Sequence, residues 1–247
     1  MTPEQFATAA HGDQLRKYTN DPYVNHCRNV AELVKRYGGT PDMVTAAWLH
    51  DVVEDTPVTV GDVCSQFGET VARYVDQLTD VSRPHHGNRV KRKARDIDHL
   101  SRAEPVVKTI KLCDLLDNTS SIVRHDPKFA VTYLAEKQLM LAHLSDASNQ
   151  ELYALVEREL FKAKYKLTNV QLTAFDKHYD ALVKAMGGVV IMKEIEQLVK
   201  RLRAAGHQLT VENNWIVVNP PCSLSDTLLI QKLNKGEKLA KYIKENP

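Results

Sequence analysis

The segment Ala46-Ala47-Trp48-Leu49-His50-Asp51-Val52-Val53-Glu54-Asp55-Thr56 sets one imidazole and three carboxylates at the end of an apolar run. On a continuous helix His50 and Glu54 stand four apart, as do Asp51 and Asp55, so each pair shares a face. Burying such groups unpaired costs on the order of several kcal/mol. A metal ion satisfies them, and imidazole with carboxylate suits a first-row divalent ion such as manganese, iron or zinc. Two ligands do not make a site. His26, at the start of the preceding helix, is the candidate third imidazole. Asp114, within Lys111-Leu112-Cys113-Asp114-Leu115-Leu116-Asp117-Asn118, is the candidate second carboxylate. That set leaves open positions for water and a phosphate oxygen, where the ion polarises the phosphoryl group and lowers the pKa of water. Glu54 and Asp55 are near enough to orient or deprotonate that water.

The elements that must position these groups are helical. Thr2 caps a first helix opened by Pro3. A polar loop covers Gly12 to Asn25. His26 to Tyr37 carries Val30, Leu33, Val34 and Tyr37 at helical spacing and stops at Gly38-Gly39. The helix opened by Pro41 turns Ala46, Ala47, Leu49 and Val53 inward. Two short helices, Val60 to Phe67 and Thr70 to Leu78, precede a loop from Ser82 to Asn88 that holds His85-His86. Arg89 to Arg95 is the solvated face of a basic helix. Pro105 opens a helix with Val106, Val107, Ile110, Leu112 and Leu115. Phe129–Leu144, Glu151–Lys166 and Gln171–Met186 complete the helical region. Cys27, Cys64 and Cys113 read as small core residues.

The order of these elements resembles the hydrolase domain of the RelA/SpoT homologues, and in particular the small alarmone hydrolases. The resemblance runs from His11-Gly12-Asp13-Gln14-Leu15-Arg16-Lys17, through Asp21-Pro22-Tyr23-Val24-Asn25-His26 and His50 to Thr56, to Lys108-Thr109-Ile110-Lys111-Leu112-Cys113-Asp114 and Asn118. It covers residues 3 to 160 and implies an all-helical HD-domain hydrolase that removes the 3′-pyrophosphate of (p)ppGpp in the stringent response. It implies His26, His50, Asp51 and Asp114 as ligands of one manganese ion, with Glu54 and Asp55 beside the attacking water. Arg16 and Lys17 match the basic element near the guanine, and Tyr23 and Asn118 match positions lining the nucleoside. Lys93 falls in the helix that approaches the pyrophosphate, and Lys111 is a second phosphate candidate. Two positions depart from the family pattern. Cys27 replaces a proline, and Leu115-Leu116-Asp117 replaces a more basic stretch, which puts the preferred phosphate number in doubt.

The pattern changes after Gly187-Gly188, giving a domain at 1–186 and a small module at 190–247. Ile191 to Ala205 reads as helix, Gln208–Glu212 and Trp215–Val218 as strands around an Asn213-Asn214 turn, and Ser225 as the cap of a lysine-rich helix. This αββα piece resembles the TubC-type docking domain, which implies association with a second copy or a protein partner. The fold expected is thus mainly α with a small mixed module.

Bulk numbers bound the rest. The 247 residues are 43% hydrophobic, enough for a sizeable core. Lys and Arg number 33 against 31 for Asp and Glu, so composition offers no argument for bulk nucleic-acid binding. The four cysteines form no CxxC pair and fit a reducing cytoplasm. Met1-Thr2-Pro3-Glu4 reads as a helix start and not as a secretory leader, and no apolar run is long enough to span a bilayer. Two enzyme alternatives stay open: an antidote to a toxic synthetase acting on pppApp or pyrophosphorylated RNA, and a hydrolase of NADPH 2′-phosphate or dNTPs. A non-catalytic alarmone sensor or adaptor is the third.

Overall fold

The computed structural model describes residues 1–17, 19–187, 189–212, 215–222, 226, 230 and 238–246. It divides into two compact units, Met1–Leu182 and Val183–Pro247.

Local capping starts most helices of the first unit. In α1 (Pro3–His11) Thr2 and Gln5 form a reciprocal capping box. Helix α2 (Val24–Arg36) begins two residues before the expected His26. Thr40 caps α3 (Pro41–Leu49), and α4 is the single turn Val52–Asp55. Thr59 and Asp62 box α5 (Val60–Phe67), which Gly68 separates from α6 (Glu69–Leu78). A 3-10 turn, Pro84–His86, sits inside the expected loop. There follow α7 (Arg89–Ser101), α8 (Pro105–His125), α9 (Pro127–Ala142), α10 (Gln150–Tyr165) and α11 (Asn169–Ala185).

Helix α8 is the centre of this unit, with α2, α3, α6, α9 and α10 packed on it. Val107, Ile110, Leu112, Cys113 and Leu115 of α8 are fully buried. Removing a leucine side chain from water in this way contributes about 1.5–3 kcal/mol. The same helix buries Lys108, Thr109 and Asp114, and buried polar groups require partners. Lys108 reaches Asp146 at 2.7 Å and the Ser101 carbonyl at 2.8 Å, and Thr109 shares a hydrogen bond with Ser148 at 2.8 Å. Asp114 belongs to the candidate site.

Two expectations are corrected. Cys64 is exposed, whereas Cys27 and Cys113 are buried. The His50–Asp55 stretch is not one continuous helix. Helix α3 ends at Leu49, and Asp51, at φ −107° and ψ −4°, departs from regular helical angles while staying in the right-handed region before α4 begins. The break rotates the face turned inward, so Val52 is fully buried and Val53 is half-buried.

The second unit holds α12 (Val189–Ala204), strands β1 (Gln208–Glu212) and β2 (Trp215–Asn219), and α13 (Lys238–Glu245). The strands pair antiparallel from Gln208 opposite Asn219 to Glu212 opposite Trp215. Leu209, Val211, Ile216 and Val218 face a cluster of Ile195, Leu198, Val199, Leu202, Ile230, Leu239 and Ile243, while Val217 points to solvent, as strand alternation requires. The Asn213-Asn214 turn, Gly188, Ser225, Lys232 and Lys235 lie outside the described residues.

Candidate metal centre and active site

Helix α2 delivers His26, the α3–α4 break delivers His50 and Asp51, and α8 delivers Asp114. Both histidines and Asp114 are almost fully buried. His50 donates from Nδ1 to the Ala47 carbonyl at 2.8 Å. A carbonyl only accepts, so the proton is on Nδ1 and the Nε2 lone pair faces inward. His26 Nδ1 donates to Asp117 at 2.7 Å, which fixes the same tautomer.

The two Nε2 atoms then stand 3.2 Å apart. Asp51 Oδ2 lies 3.0 Å from His50 Nε2 and 3.7 Å from His26 Nε2. Asp114 Oδ1 lies 3.3 Å and 3.9 Å from His26 and His50 respectively. The donor atoms of His26, His50 and Asp51 all fall within 4.8 Å of one another. Ligands bound at about 2.0–2.2 Å to one ion are separated by roughly 3 Å when adjacent, so these spacings fit a single divalent cation.

The titration behaviour has the same origin. Burial disfavours a charged His26, but hydrogen bonds to Asp114 and Asp117 outweigh it and raise its pKa to about 9. Burial would raise Asp51, yet the neighbouring His50 and His26 hold it well below the usual carboxylate range. Asp114 is held down in the same way, by Lys111 and both histidines. The Lys111 ammonium is 2.7 Å from Asp114 Oδ2, and Asn118 Nδ2 donates to Asp114 Oδ1 at 2.5 Å. Residues 111, 114 and 118 thus share one face of α8.

The acidic pair stands beside this cluster. Glu54 is exposed as a residue, but protein displaces water from its carboxyl. That loss of water, with Asp80 and Asp51 close by, pushes its pKa up to about 7 against the pull of Lys111 and Lys93. The Asp80 N–H donates to Glu54 Oε2 at 3.3 Å. Asp55 accepts from Gln14 at 3.0 Å.

The loop after α1 is pinned by a bridge between Leu15 and Pro22 and by the Arg16 N–H donating to Asp21 at 2.8 Å. It brings Arg16 against α8, where its guanidinium donates to Asp117 and Asn118, each at 2.8 Å. Tyr23 donates its hydroxyl to Asp51 Oδ2 at 2.6 Å, so it touches a candidate ligand directly. Lys17 stands farther out, 5.7 Å over the Phe129 ring. Lys93 ion-pairs with Asp80 and lies 3.6 Å from Asp96, so it is engaged by carboxylates.

Two groups went unremarked in the sequence as site residues. Asp117 backs His26. Lys137 of α9 makes no ion pair among the described residues and stands 5.4 Å over the Tyr133 ring; burial and the charges of Lys111 and Lys93 push its pKa down to about 8, with Asp114 and Asp80 pulling the other way. Neither is a neighbour of its partners in sequence, so no spacing signal announces them.

A family model for the HD domain matches residues 4–150. The chain belongs to the HD domain family. The HD domain is a metal-dependent hydrolase fold, and the His/Asp cluster lies inside the matched region. A human guanosine-3′,5′-bis(diphosphate) 3′-pyrophosphohydrolase MESH1 is 35% identical over 126 residues, which is 50% of this chain and 69% of that protein. A guanosine-3′,5′-bis(diphosphate) 3′-pyrophosphohydrolase from Aquifex aeolicus is 34% identical over 118 residues, 48% of this chain but only 17% of the relative. A solved structure described as a metazoan ortholog of SpoT that hydrolyses ppGpp matches with a TM-score of 0.57 and 29% identity. It covers 67% of this chain and 94% of its own. The mainly helical HD fold follows from both comparisons. Among the described residues no helix is long and apolar enough to cross a membrane.

Proposed function

We propose that this HD-domain hydrolase removes the 3′-pyrophosphate from guanosine alarmones, converting ppGpp and pppGpp to GDP and GTP. The observation that carries the reading is the convergence of His26, His50, Asp51 and Asp114 beside Glu54 and Asp55, within a chain similar to enzymes named for this reaction. His26, His50, Asp51 and Asp114 hold the ion, proposed to be manganese because the donor set mixes imidazole with carboxylate. When bound, the ion supplies Lewis-acid polarisation of the phosphoryl oxygen and acidifies a water.

The chain's own groups do the rest. Glu54 accepts the proton of a water that attacks the phosphorus attached to the ribose 3′-oxygen. That phosphorus–oxygen bond breaks, the 3′-oxygen takes up a proton, and pyrophosphate departs. A carboxyl that titrates near neutrality suits this exchange. Asp55 orients the water, with Gln14 fixing Asp55. Arg16, Lys17, Tyr23 and Asn118 line the nucleoside. Lys111, Lys93 and Lys137 face the phosphates, and Lys93 exchanges a carboxylate for phosphate on binding. Lys137 is the best placed of the three, since a phosphate relieves its repulsion by Lys111 and Lys93.

A reducing cytoplasm is the proposed compartment, supported by scattered single cysteines that form no CxxC pair. Residues 190–247 are proposed as an association module, supported by an apolar cluster of their own. The test is turnover of manganese-loaded protein on ppGpp, pppGpp, pppApp, NADPH and dNTPs with product identification. Pyrophosphate with GDP or GTP is expected. Orthophosphate from NADPH, or no turnover of ppGpp, would overturn the substrate assignment.

A further inference from the structure

Asp117 looked in the sequence like a simple loss of positive charge before Asn118. In the structure it is the junction between the metal centre and the nucleotide side. Its Oδ2 accepts from His26 Nδ1 at 2.7 Å and from Arg16 Nη1 at 2.8 Å, and its Oδ1 accepts from Asn29 Nδ2 at 3.0 Å. Arg16 Nη2 donates to Asn118 at 2.8 Å, Asn118 donates to Asp114 at 2.5 Å, and Asp114 Oδ1 returns to His26 Nε2 at 3.3 Å. Five side chains therefore close a ring that contains two candidate ligands and one arginine.

We propose that Asp117 is a positioning residue that orients His26 toward the ion and Arg16 toward the nucleotide through one carboxylate. The inference rests on the metal-hydrolase reading of the site. An imidazole carries one proton and one lone pair when it ligates a metal. Asp117 holds the proton on Nδ1, which commits Nε2 to the ion and raises its donor strength. The same carboxylate with Asn118 takes both terminal nitrogens of Arg16, which fixes the guanidinium plane. Loss of Asp117 therefore loosens both functions together, whereas loss of Arg16 loosens only one.

The experiment compares wild type, Asp117→Ala, Asp117→Asn and Arg16→Ala in the full chain, with thermal melts to establish folding. Manganese affinity is read by titration of metal-free protein, followed by the electron paramagnetic resonance signal of free manganese and without nucleotide. The KM for ppGpp is then read at saturating manganese. Asp117→Ala should lose about 10- to 100-fold in manganese affinity and also raise KM when the ion is saturating. Asp117→Asn, which keeps one acceptor, should fall between it and wild type, and it carries the test if the alanine variant does not fold. Arg16→Ala should raise KM and bind manganese normally. A folded Asp117 variant with unchanged manganese affinity overturns the proposal. So does lost manganese affinity with an unchanged KM at saturation, because the coupling is then absent. If wild type fails to turn over ppGpp, the substrate reading has failed, and the manganese titration still decides the link between Asp117 and His26.

Discussion

Exchanging Asp80 for asparagine should move the acid limb of the pH–rate profile to lower pH. The limb belongs to Glu54, whose carboxyl takes up a proton near pH 7 because water is displaced from it and because Asp80 and Asp51 are close. A base of this kind works above its pKa and is lost as pH falls through it, so turnover drops about tenfold for each further unit. Asp80→Asn removes a negative charge from beside Glu54. It also releases Lys93, which pairs with Asp80 and then favours the Glu54 carboxylate. Both changes act in one direction. Unit charges about 4 Å apart interact by about 1 kcal/mol in water and about 4 kcal/mol at an effective dielectric near 20. One pKa unit is about 1.36 kcal/mol. The Glu54 carboxyl is dehydrated although the residue is exposed, so both limits bracket it and the limb should move down by about one to three units. A bound cation lowers both limbs further, which leaves the difference between variants as the diagnostic quantity. The assay is kcat/KM against pH at saturating manganese for wild type, Asp80→Asn and Glu54→Gln, because that ratio reports the groups of the substrate-free enzyme. The glutamine variant should lose about 10²- to 10⁴-fold, with a flat residual profile. A limb that stays in place in Asp80→Asn, or survives in Glu54→Gln, would mean that another group accepts the proton, with Asp55 the next candidate.

Chelation should abolish turnover, and manganese should restore it better than magnesium because imidazole donors suit the former; full activity in metal-free protein would refute the site. Lys137→Ala should lower kcat/KM by about 10- to 100-fold, the equivalent of one lost hydrogen bond to a charged group, with manganese affinity unchanged in the titration. Ending the chain after Met186 should leave turnover near normal, because the second unit has a separate apolar cluster, while size-exclusion chromatography or light scattering reports a changed oligomeric state. Lost catalysis with unchanged oligomeric state would make residues 190–247 a structural part of the enzyme.

Much of this protein was legible in the chain alone. Thr2 with Pro3, and Pro41, announce helix starts, because a cap and a preset φ act locally and do not wait for tertiary structure. His50-Asp51 with Glu54-Asp55 was conspicuous because buried polar groups at the end of an apolar run demand a partner. The spacing within Lys111, Asp114 and Asn118 fixed a shared face because one helix carries all three. Tertiary structure decided what depends on separate segments. With the helix broken after Leu49, Val52 is turned inward and Val53 is only half-buried, where an unbroken helix would have turned Val53 in. The sequence places Lys93 in a basic helix that approaches the pyrophosphate, but Asp80 lies on another element and claims it. Lys137 meets Lys111 only because α9 folds onto α8. Asp117 could be counted as a lost positive charge from sequence, yet its partners His26, Asn29 and Arg16 lie 88 or more residues away. No periodicity reports a contact over that separation, and whether a carboxylate repels a phosphate or steadies a ligand depends on what lies at hydrogen-bond distance from it.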